Sequence, residues 1–323
     1  MSADTILSIR YLKKYFPVKD GMLHAVDDVS LDIQRGTTLG VVGESGCGKS
    51  TLGRVIIHLL EPTDGQIFFE GEDVSAPSKA RLKELRKDMQ MIFQDPFSSI
   101  DPRMTVSQLI GEPLLIYKMC PTKEALNRRV REIMDTVGLA SRLENTYPHE
   151  LDGGRRQRIG IGRALALEPK FIICDEPVSA LDVSIQAQVL NLMQDLQDEL
   201  GLTYIFITHD LSVVRHISTE IIVMYLGTVV EKAEAKALMQ RRLHPYTKAL
   251  ISAIPRVDLD KREEKVLLQG ELVSPINPEP FCRFAPRCRY ATEKCRQSVP
   301  ELREILPGHL VACHRAEELN ELK

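Results

Sequence analysis

Apolar residues follow two different periods along the chain, and each period predicts a different kind of element. Near the N-terminus they alternate with polar residues in "ILSIRYLKKYF" and "HAVDDVSLDI", which predicts two strands joined by a turn at "KDG". Continuous apolar runs in "TTLGVVG", "GQIFFEG" and "DMQMIFQDP" predict buried strands, and "KSTLGRVIIHLL" predicts a helix. We therefore expect an N-terminal antiparallel β-subdomain that leads into an α/β domain.

Helical spacing replaces these strand patterns between about residues 104 and 158. Strands and helices then alternate from "FIICDEP" to "EIIVMYLGTVVE", and each of these two runs is predicted to be one strand. Such alternation predicts a parallel sheet covered on both faces, so the helical stretch is an insertion. Beyond about Pro255 the chain is polar and proline-rich. We expect one domain over residues 1–250 and a small loop-rich C-terminal extension over residues 251–323.

Charge and hydropathy narrow the class of protein. The 323 residues carry a net charge of −3, which argues against an electrostatic grip on nucleic acid, and no nucleic-acid partner is expected. No apolar run approaches the roughly 18–20 residues that span a bilayer. The N-terminus has no uninterrupted apolar segment of the kind that signal peptides contain. The sequence predicts a cytosolic protein that a partner can hold at a membrane.

The segment "GESGCGKST" fits the phosphate-loop pattern G-x-x-x-x-G-K-[ST], between a predicted strand and a predicted helix. Its glycines let backbone N–H groups converge on phosphate oxygens, and the helix N-terminus adds partial positive charge. Lys49 is expected to reach the β- and γ-phosphates, and Ser50 to ligate Mg²⁺. The alternative is a glycine turn that binds nothing. The candidate nucleotide-binding residues of this loop are Gly43, Glu44, Ser45, Gly46, Cys47, Gly48, Lys49, Ser50 and Thr51.

Acidic residues end the buried strand in "FIICDEP". Asp175 is placed to hold Mg²⁺ through water, and Glu176 to orient or deprotonate an attacking water. His209 follows the apolar strand "YIFIT", at a position suited to a γ-phosphate contact. For each of these residues the alternative is a purely structural role at a strand end.

Five motifs in order, "GESGCGKST", "FQDP", "LDGG", "CDEPVSALD" and "THD", make residues 1 to about 250 resemble the ATPase subunit of an ABC transporter. The resemblance implies a P-loop NTPase (RecA-like) core, ATP and Mg²⁺ as ligands, and ATP hydrolysis coupled to transport. It implies that two such domains bind two ATP molecules between them, each at the phosphate loop of one and the signature turn of the other. The implied partners are a second ATPase subunit and two transmembrane permease subunits, at the cytoplasmic face of the membrane.

The resemblance also assigns roles outside the phosphate loop. Gln94 matches a glutamine that senses Mg²⁺ and the attacking water and couples to the membrane subunits. Asp182 matches an aspartate that communicates across the dimer. The aromatic residue that stacks on adenine is expected in "KKYFP", with Phe16 favoured by spacing and Tyr15 next. A structural role remains the alternative for Gln94 and for either ring.

A narrower resemblance points to the oligopeptide/dipeptide import branch, through "PHE" before the signature turn, "THDLSVVRHIS" and "HPYTKALISAIP". In that branch a C-terminal extension binds a [4Fe–4S] cluster, and an extracytoplasmic substrate-binding protein delivers the cargo. Zinc, no metal, oligosaccharide or metal-chelate cargo, and a soluble ABC ATPase are the alternatives. The cysteines that match the extension, with spacing C-x5-C-x6-C-x17-C, are Cys282, Cys288, Cys295 and Cys313.

The signature turn departs from the family pattern Leu-Ser-Gly-Gly-Gln, because Asp152 replaces the serine and Arg155 the glutamine. Aspartate caps a helix as well as serine does, but an ionised carboxylate cannot donate a hydrogen bond to a phosphate. Gly153 and Gly154 still present backbone N–H groups. Two interpretations follow: a weakened signature in a heterodimer with one strong and one weak ATP site, which we favour, or an Asp–Arg pair that works equally well.

Overall fold

A long antiparallel hairpin, made of β1 (Thr5–Val18) and β2 (Gly21–Gln34), opens the fold. The computed structural model describes residues 4–95, 99–253 and 273–322, so Pro255 lies outside the described residues. Along the chain the structure divides into two units. One combines Met1–Ala76 with Phe206–Lys323, and the other is Pro77–Ile205.

The first unit contains a four-stranded antiparallel sheet in the order β2-β1-β4-β5, where β4 is Asp64–Phe69 and β5 is Glu72–Asp73. Ile9 of β1 lies opposite Leu31 of β2 and Ile67 of β4, and all three side chains are buried. Cross-strand apolar pairs of this kind fix the register of a sheet that has one buried face. The predicted N-terminal antiparallel β-subdomain is confirmed.

A second run of strands in this unit begins with a parallel pair in which every residue except Glu220 is buried. Burial of every residue of a strand is typical of a parallel sheet covered on both faces. In order across the sheet, these strands are β3 (Thr38–Val42), β9 (Glu220–Tyr225), β10 (Thr228–Glu234), β12 (His309–Val311) and β11 (Arg303–Leu306). Strands β3 and β9 are parallel, and the other neighbours are antiparallel. The helices of the unit are α1 (Lys49–Ile56), α7 (Leu211–Ile217), α8 (Ala235–Gln240) and α9 (Pro245–Ser252).

The prediction of a single strand in "EIIVMYLGTVVE" is wrong, because the chain reverses between β9 and β10. Leu226 and Gly227 both adopt positive φ, at 46° and 85°. Two consecutive residues with positive φ are the geometry of a tight hairpin turn. Apolar residues on both sides of the turn, and a leucine within it, hide the reversal from a periodicity argument.

The second unit is built around a parallel pair, β6 (Met89–Ile92) and β7 (Phe171–Asp175), with Met91 opposite Ile173. Strand β8 (Thr203–Ile207), where the chain passes from one unit to the other, is buried along its whole length. The helices of this unit are α2 (Lys79–Asp88), α3 (Val106–Ile116), α4 (Lys123–Thr136), α5 (Gly153–Leu165) and α6 (Val183–Leu200). Within the described parts of the chain, no helix has the length and apolar character needed to cross a membrane.

Helices α3, α4 and α5 form the predicted helical insertion. Thr105 caps α3 by accepting from the N–H of Gln108, whose side chain in turn accepts from the N–H of Thr105. Ile110 of α3 and Ile133 of α4 are buried against α5, beside Gly162. The insertion is confirmed, although its predicted end near residue 158 falls inside α5.

A buried carboxylate ties α9 and β12 to the sheet. Glu231 of β10 is fully buried and accepts hydrogen bonds from the N–H groups of Leu243 (2.7 Å) and His244 (3.1 Å), at the start of α9. His309 of β12 lies 2.7 Å from the same carboxylate. The expected domain boundary at residues 250/251 falls inside α9, and it stays a prediction.

Candidate nucleotide site and signature turn

The phosphate loop connects β3 to α1 in the first unit, and two of its glycines are required by the space around them. Gly48 has φ of 103°, and a Cβ atom there would lie 2.0 Å from the carbonyl oxygen of Ala25. Gly43 has φ of 155°, and its Cβ would lie 2.3 Å from the carbonyl oxygen of Met224. A side chain fits at neither position, so the tight packing of the loop against neighbouring backbone requires glycine at both.

Lys49 begins α1 and is 5% exposed. Its Nζ donates to the carbonyl oxygens of Gly43 (2.8 Å) and Glu44 (3.0 Å), so the ammonium group lies over the loop. Ser50 and Thr51 follow in the first turn of the helix. A cation beside a helix N-terminus that faces a glycine-rich loop is an arrangement that binds phosphate.

The remaining loop residues differ in exposure. Ser45 and Gly46 are exposed at the tip, whereas Cys47 is 1% exposed and its carbonyl oxygen accepts from the N–H of Gly227. Burial raises the pKa of the Cys47 thiol. The hydrogen bond joins the loop to the turn between β9 and β10, and burial keeps the Cys47 thiol neutral.

His209 belongs to the same unit and is exposed just beyond β8. The preceding residue, Thr208, donates its N–H to the carbonyl oxygen of Val41 in β3 (3.2 Å). Val41 stands two residues before the first glycine of the loop. The hydrogen bond therefore brings the chain segment that carries His209 beside the strand that leads into the phosphate loop.

The two candidate adenine-stacking rings lie on β1. Tyr15 stacks on His24 with ring centroids 3.8 Å apart, and its hydroxyl donates to Asp27. Burial and this hydrogen bond raise the pKa of Tyr15. Phe16 has the Nζ of Lys14 over its ring, 5.0 Å from the centroid. Each ring thus has one face covered, Tyr15 by His24 and Phe16 by Lys14, and the preference for Phe16 stays a prediction.

The second unit brings Gln94 and Glu176 together, although 82 positions separate them in the sequence. Gln94 Nε2 donates to Glu176 Oε2 at 2.8 Å. Asp175, the last residue of β7, is 1% exposed. Glu176 has φ of 47°, a conformation that non-glycine residues adopt rarely and at some cost in energy, and that clusters at functional sites. The pairing places an amide beside the carboxylate expected to act on water.

Asp152 occupies the N-cap position of α5, as the sequence predicts. Its Oδ1 accepts from the N–H of Arg155 at 2.8 Å, and its Oδ2 lies 3.4 Å from the guanidinium of the same residue. The side chains of Asp152 and Arg155 are 57% and 47% exposed, so water screens this ion pair. Arg156 instead donates to the carbonyl oxygen of Pro148 (2.7 Å), which braces the turn before the helix.

The glycines of the signature turn allow close packing against the start of α6. A Cβ at Gly154 would lie 2.4 Å from Ile185, and one at Gly153 would lie 3.1 Å from Leu181. Asp182 caps α6 by accepting from the N–H of Ile185 (3.1 Å). Hydrogen bonds from the Ser184 side chain and the Ile185 backbone lower the pKa of Asp182. The signature turn and the "SALD" segment are therefore packed together in one unit.

Two family models match separate parts of the chain. Residues 26–179 match the ABC transporter family, and residues 230–295 match the C-terminal region of oligopeptide/dipeptide transporters. The oligopeptide transport ATP-binding protein AppF of Bacillus subtilis is 51% identical over 321 residues, which cover 96% of this chain and 97% of AppF. The dipeptide transport ATP-binding protein DppF of Haemophilus influenzae is 49% identical over 94% of each chain.

The chain belongs to the ABC-transporter ATP-binding family. A solved structure of the ATP-binding cassette MJ0796, a dimer bound to ADP and phosphate, superposes with a TM-score of 0.66 and 28% identity, over 71% of this chain and 99% of that one. The predicted P-loop NTPase fold and ATPase activity are confirmed. As in other ABC ATPases, hydrolysis is coupled to transport.

One pocket of this ABC ATPase is lined by the four cysteines that were expected to bind a cluster. Phe284 and His314 also line it. All seven cysteines of the chain are free of disulfides. Burial raises the pKa of Cys282 to about 12 and of Cys313 to about 11, and neighbouring cysteines add to each effect. Among the residues that the structure describes, however, no group of three or more His, Cys, Asp or Glu side chains is arranged to hold a metal ion. The four cysteines therefore share a pocket without being arranged as a metal site in this structure.

Sequence reasoning missed the residues by which the C-terminal part of this ABC ATPase touches its phosphate loop. Arg287 makes two hydrogen bonds to the Glu44 carboxylate, at 2.7 and 3.1 Å, and this pairing raises the pKa of Arg287. The hydroxyl oxygen of Tyr246 accepts from the N–H of Glu44 at 2.9 Å. Arg283 donates to Asp27 and to the carbonyl oxygen of Leu226. The only signal in the sequence is that both arginines directly adjoin cysteines, in "CRFAPRC".

Proposed function

We propose that this ABC ATPase powers the import of oligopeptides or dipeptides through a membrane complex, from the cytoplasmic face of the membrane. The observation that carries the proposal is the intact phosphate loop with buried Lys49, in a chain about half identical to ATP-binding proteins named for peptide transport. Import of oligosaccharides or metal chelates remains the alternative, because an ATPase subunit does not contact the cargo.

The proposed catalytic roles follow the chemistry of each residue. The Lys49 ammonium neutralises the β- and γ-phosphates, and the Ser50 hydroxyl and Asp175 carboxylate hold Mg²⁺ directly or through water. Glu176 accepts a proton from, or orients, the attacking water, and Gln94, hydrogen-bonded to it at 2.8 Å, fixes its direction. His209 supplies a donor to the γ-phosphate.

The ATPase is proposed to act as a dimer that closes over two ATP molecules, as the dimeric MJ0796 cassette suggests. We favour a heterodimer, because Asp152 would present a carboxylate to the phosphate of the partner's ATP where the family has a serine. In that dimer one site combines the phosphate loop of this chain with an intact signature from the partner. The other site uses "LDGGR" and is the weaker one.

Two permease subunits and an extracytoplasmic substrate-binding protein would complete the transporter. A groove of the second unit, lined in part by Phe93, Pro113 and Arg163, supports the contact with a permease. Leu115 and Ile116, at the end of the helix that carries Pro113, are each 61% exposed. We assign the groove to a cytoplasmic helix of the permease, because Phe93 in its lining directly precedes Gln94.

The cysteine pocket is proposed to hold a [4Fe–4S] cluster. The support is the donor chemistry, four thiols around one pocket, since cysteine thiolates are the ligands of such clusters. Cys282, Cys288, Cys295 and Cys313 would supply the four thiolate ligands. When bound, the cluster would cross-link the segments that carry Cys282, Cys288, Cys295 and Cys313.

Two substitutions test the proposed ATPase site. Lys49→Ala is expected to abolish the binding of Mg-ATP, because the loop loses its cation. Glu176→Gln is expected to keep binding and reduce steady-state phosphate release by 100-fold or more, roughly the contribution of a general base. Parent-rate hydrolysis by Glu176→Gln would remove Glu176 from its role. In reconstituted transporter, failure of labelled peptides to accumulate while another cargo does would refute the peptide assignment.

A further inference from the structure

Residues more than 200 positions away in the sequence make hydrogen bonds to the phosphate loop of this chain. Three separate contacts converge on Glu44. Its carboxylate pairs with both terminal nitrogens of Arg287, its N–H donates to Tyr246, and its carbonyl oxygen accepts from Lys49. Arg287 is therefore linked through Glu44 to one of the two carbonyl groups that hold Lys49.

Arg287 is largely shielded from water and lies beside aromatic rings. Its side chain is only 9% exposed, and its guanidinium lies 5.9 Å from the ring centroid of Tyr225. Phe284 packs edge-on against Tyr225 and tilted against Tyr246, with ring centroids 5.3 and 5.5 Å apart. A bidentate arginine–carboxylate pair that is largely shielded from water is stronger and more directional than a surface ion pair.

The arginine also lies inside the cysteine-bearing segment. A short 3₁₀ helix, Ala285–Arg287, separates Cys282 from Cys288, and both of these cysteines line the pocket. At the other end of the segment, Arg283 holds Asp27 and the carbonyl oxygen of Leu226. One end of Cys282–Cys288 is thus attached to the phosphate loop, and the other to the turn between β9 and β10, which is hydrogen-bonded to the loop at Cys47.

We propose that Arg287 is a positioning residue for the phosphate loop, and that the segment Cys282–Cys288 thereby sets the affinity of the chain for nucleotide. The inference rests on the proposed role of residues 43–51 in binding ATP. Coupling between the segment and the loop is reciprocal, so nucleotide binding also stabilises Cys282–Cys288. The extension is then part of the ATP site rather than an appendage to it.

The test compares Arg287→Gln with Arg303→Gln in the full chain, using mant-ATP with Mg²⁺ as the probe. Arg303 pairs with Glu317 on the surface of the same C-terminal region, where both side chains are 44% exposed. We expect Arg287→Gln to weaken binding about fivefold or more, the scale of typical coupling between sites. Arg303→Gln should bind like the unaltered chain, and Arg287→Lys should fall between, because lysine cannot make the two parallel bonds.

Two further measurements separate a specific role from a folding defect. Combining Glu44→Gln with Arg287→Gln should weaken binding no more than either change alone, since both remove the same contact. Hydrogen exchange of residues 282–288 in the unaltered chain should slow when Mg-ADP binds. Unchanged exchange there, or unchanged mant-ATP affinity in Arg287→Gln, would overturn the inference and leave the proposed function standing. An unaltered chain that binds no mant-ATP would instead overturn the proposed function.

Discussion

Restoring the family pattern at the signature turn is the change that best separates the two interpretations of "LDGGR". In a Glu176→Gln background, which stops turnover, Asp152→Ser removes the carboxylate and supplies a hydroxyl donor. At about 4 Å and an effective dielectric of 20, a carboxylate repels each phosphate charge by about 4 kcal/mol. Arg155, 3.4 Å from Asp152, offsets part of this, but the exposed pair is itself worth only about 0–1 kcal/mol.

The Asp152 side chain is 57% exposed, so water screens this repulsion well below that figure. We expect a net gain on substitution of about 1–3 kcal/mol, or about 5- to 150-fold in the ATP-dependent association constant. Helix α5 should not lose stability, because serine caps a helix as well as aspartate does. Asp152→Ala is the matched control: it removes the charge and also the cap, at a cost of about 1 kcal/mol. Dimerisation by Ala as well as Ser would assign the effect to charge, and dimerisation by Ser alone to the serine hydroxyl, as helix cap or as phosphate donor.

The assay is the mass of the chain in solution, by light scattering, with and without Mg-ATP. We expect the Glu176→Gln chain to bind ATP and remain monomeric, and the Asp152→Ser version to shift towards dimer. A Glu176→Gln chain that already dimerises with ATP would refute the reasoning. So would an Asp152→Ser variant that associates no better than its parent. Either result would mean that the Asp–Arg pair works as a signature.

Two further predictions concern the C-terminal half. Glu231→Ala should lower the free energy of unfolding by about 3–5 kcal/mol in urea titrations, because it leaves buried N–H donors and His309 without their acceptor. Exposed Glu301→Ala should change it little, and equal stability of the two variants would contradict the argument. Cys282→Ser should bleach the visible absorbance of anaerobically purified chain, whereas Cys120→Ser, outside the pocket, should not. Unchanged absorbance would remove Cys282 from the ligand set.

Backbone sterics explain why the nucleotide loop could be predicted from the sequence. Gly43 and Gly48 sit where a Cβ would meet the carbonyl oxygens of Met224 and Ala25, so the need for glycine shows in the motif although the residues that impose it lie elsewhere in the chain. The N-cap at Asp152 is local, since its side chain accepts from an N–H three residues ahead. A cap of this kind depends only on neighbours in the chain, and a short motif contains it.

Non-local contacts left no comparable signal. The pairing of Glu44 with Arg287 joins residues 243 positions apart, and Glu231 meets His309 across 78 positions. Charged residues of these types are common on protein surfaces, so nothing in the sequence marks them as partners. The turn at Leu226 was not predicted for a different reason. Leu226 is buried like the strands on either side, so it is as apolar as they are.

Packing within the second unit explains why a change at Asp152 reports on nucleotide rather than on folding. Gly154 and Ile185 hold α5 against the start of α6, and the two helices begin at capping aspartates, Asp152 and Asp182. Serine keeps the first cap and leaves Gly154 untouched, so the packing that positions the backbone N–H groups of the turn survives. What changes is one carboxylate, replaced by a group that donates. Any gain in ATP-dependent association must then come from the contact with phosphate, since the supporting structure is the same.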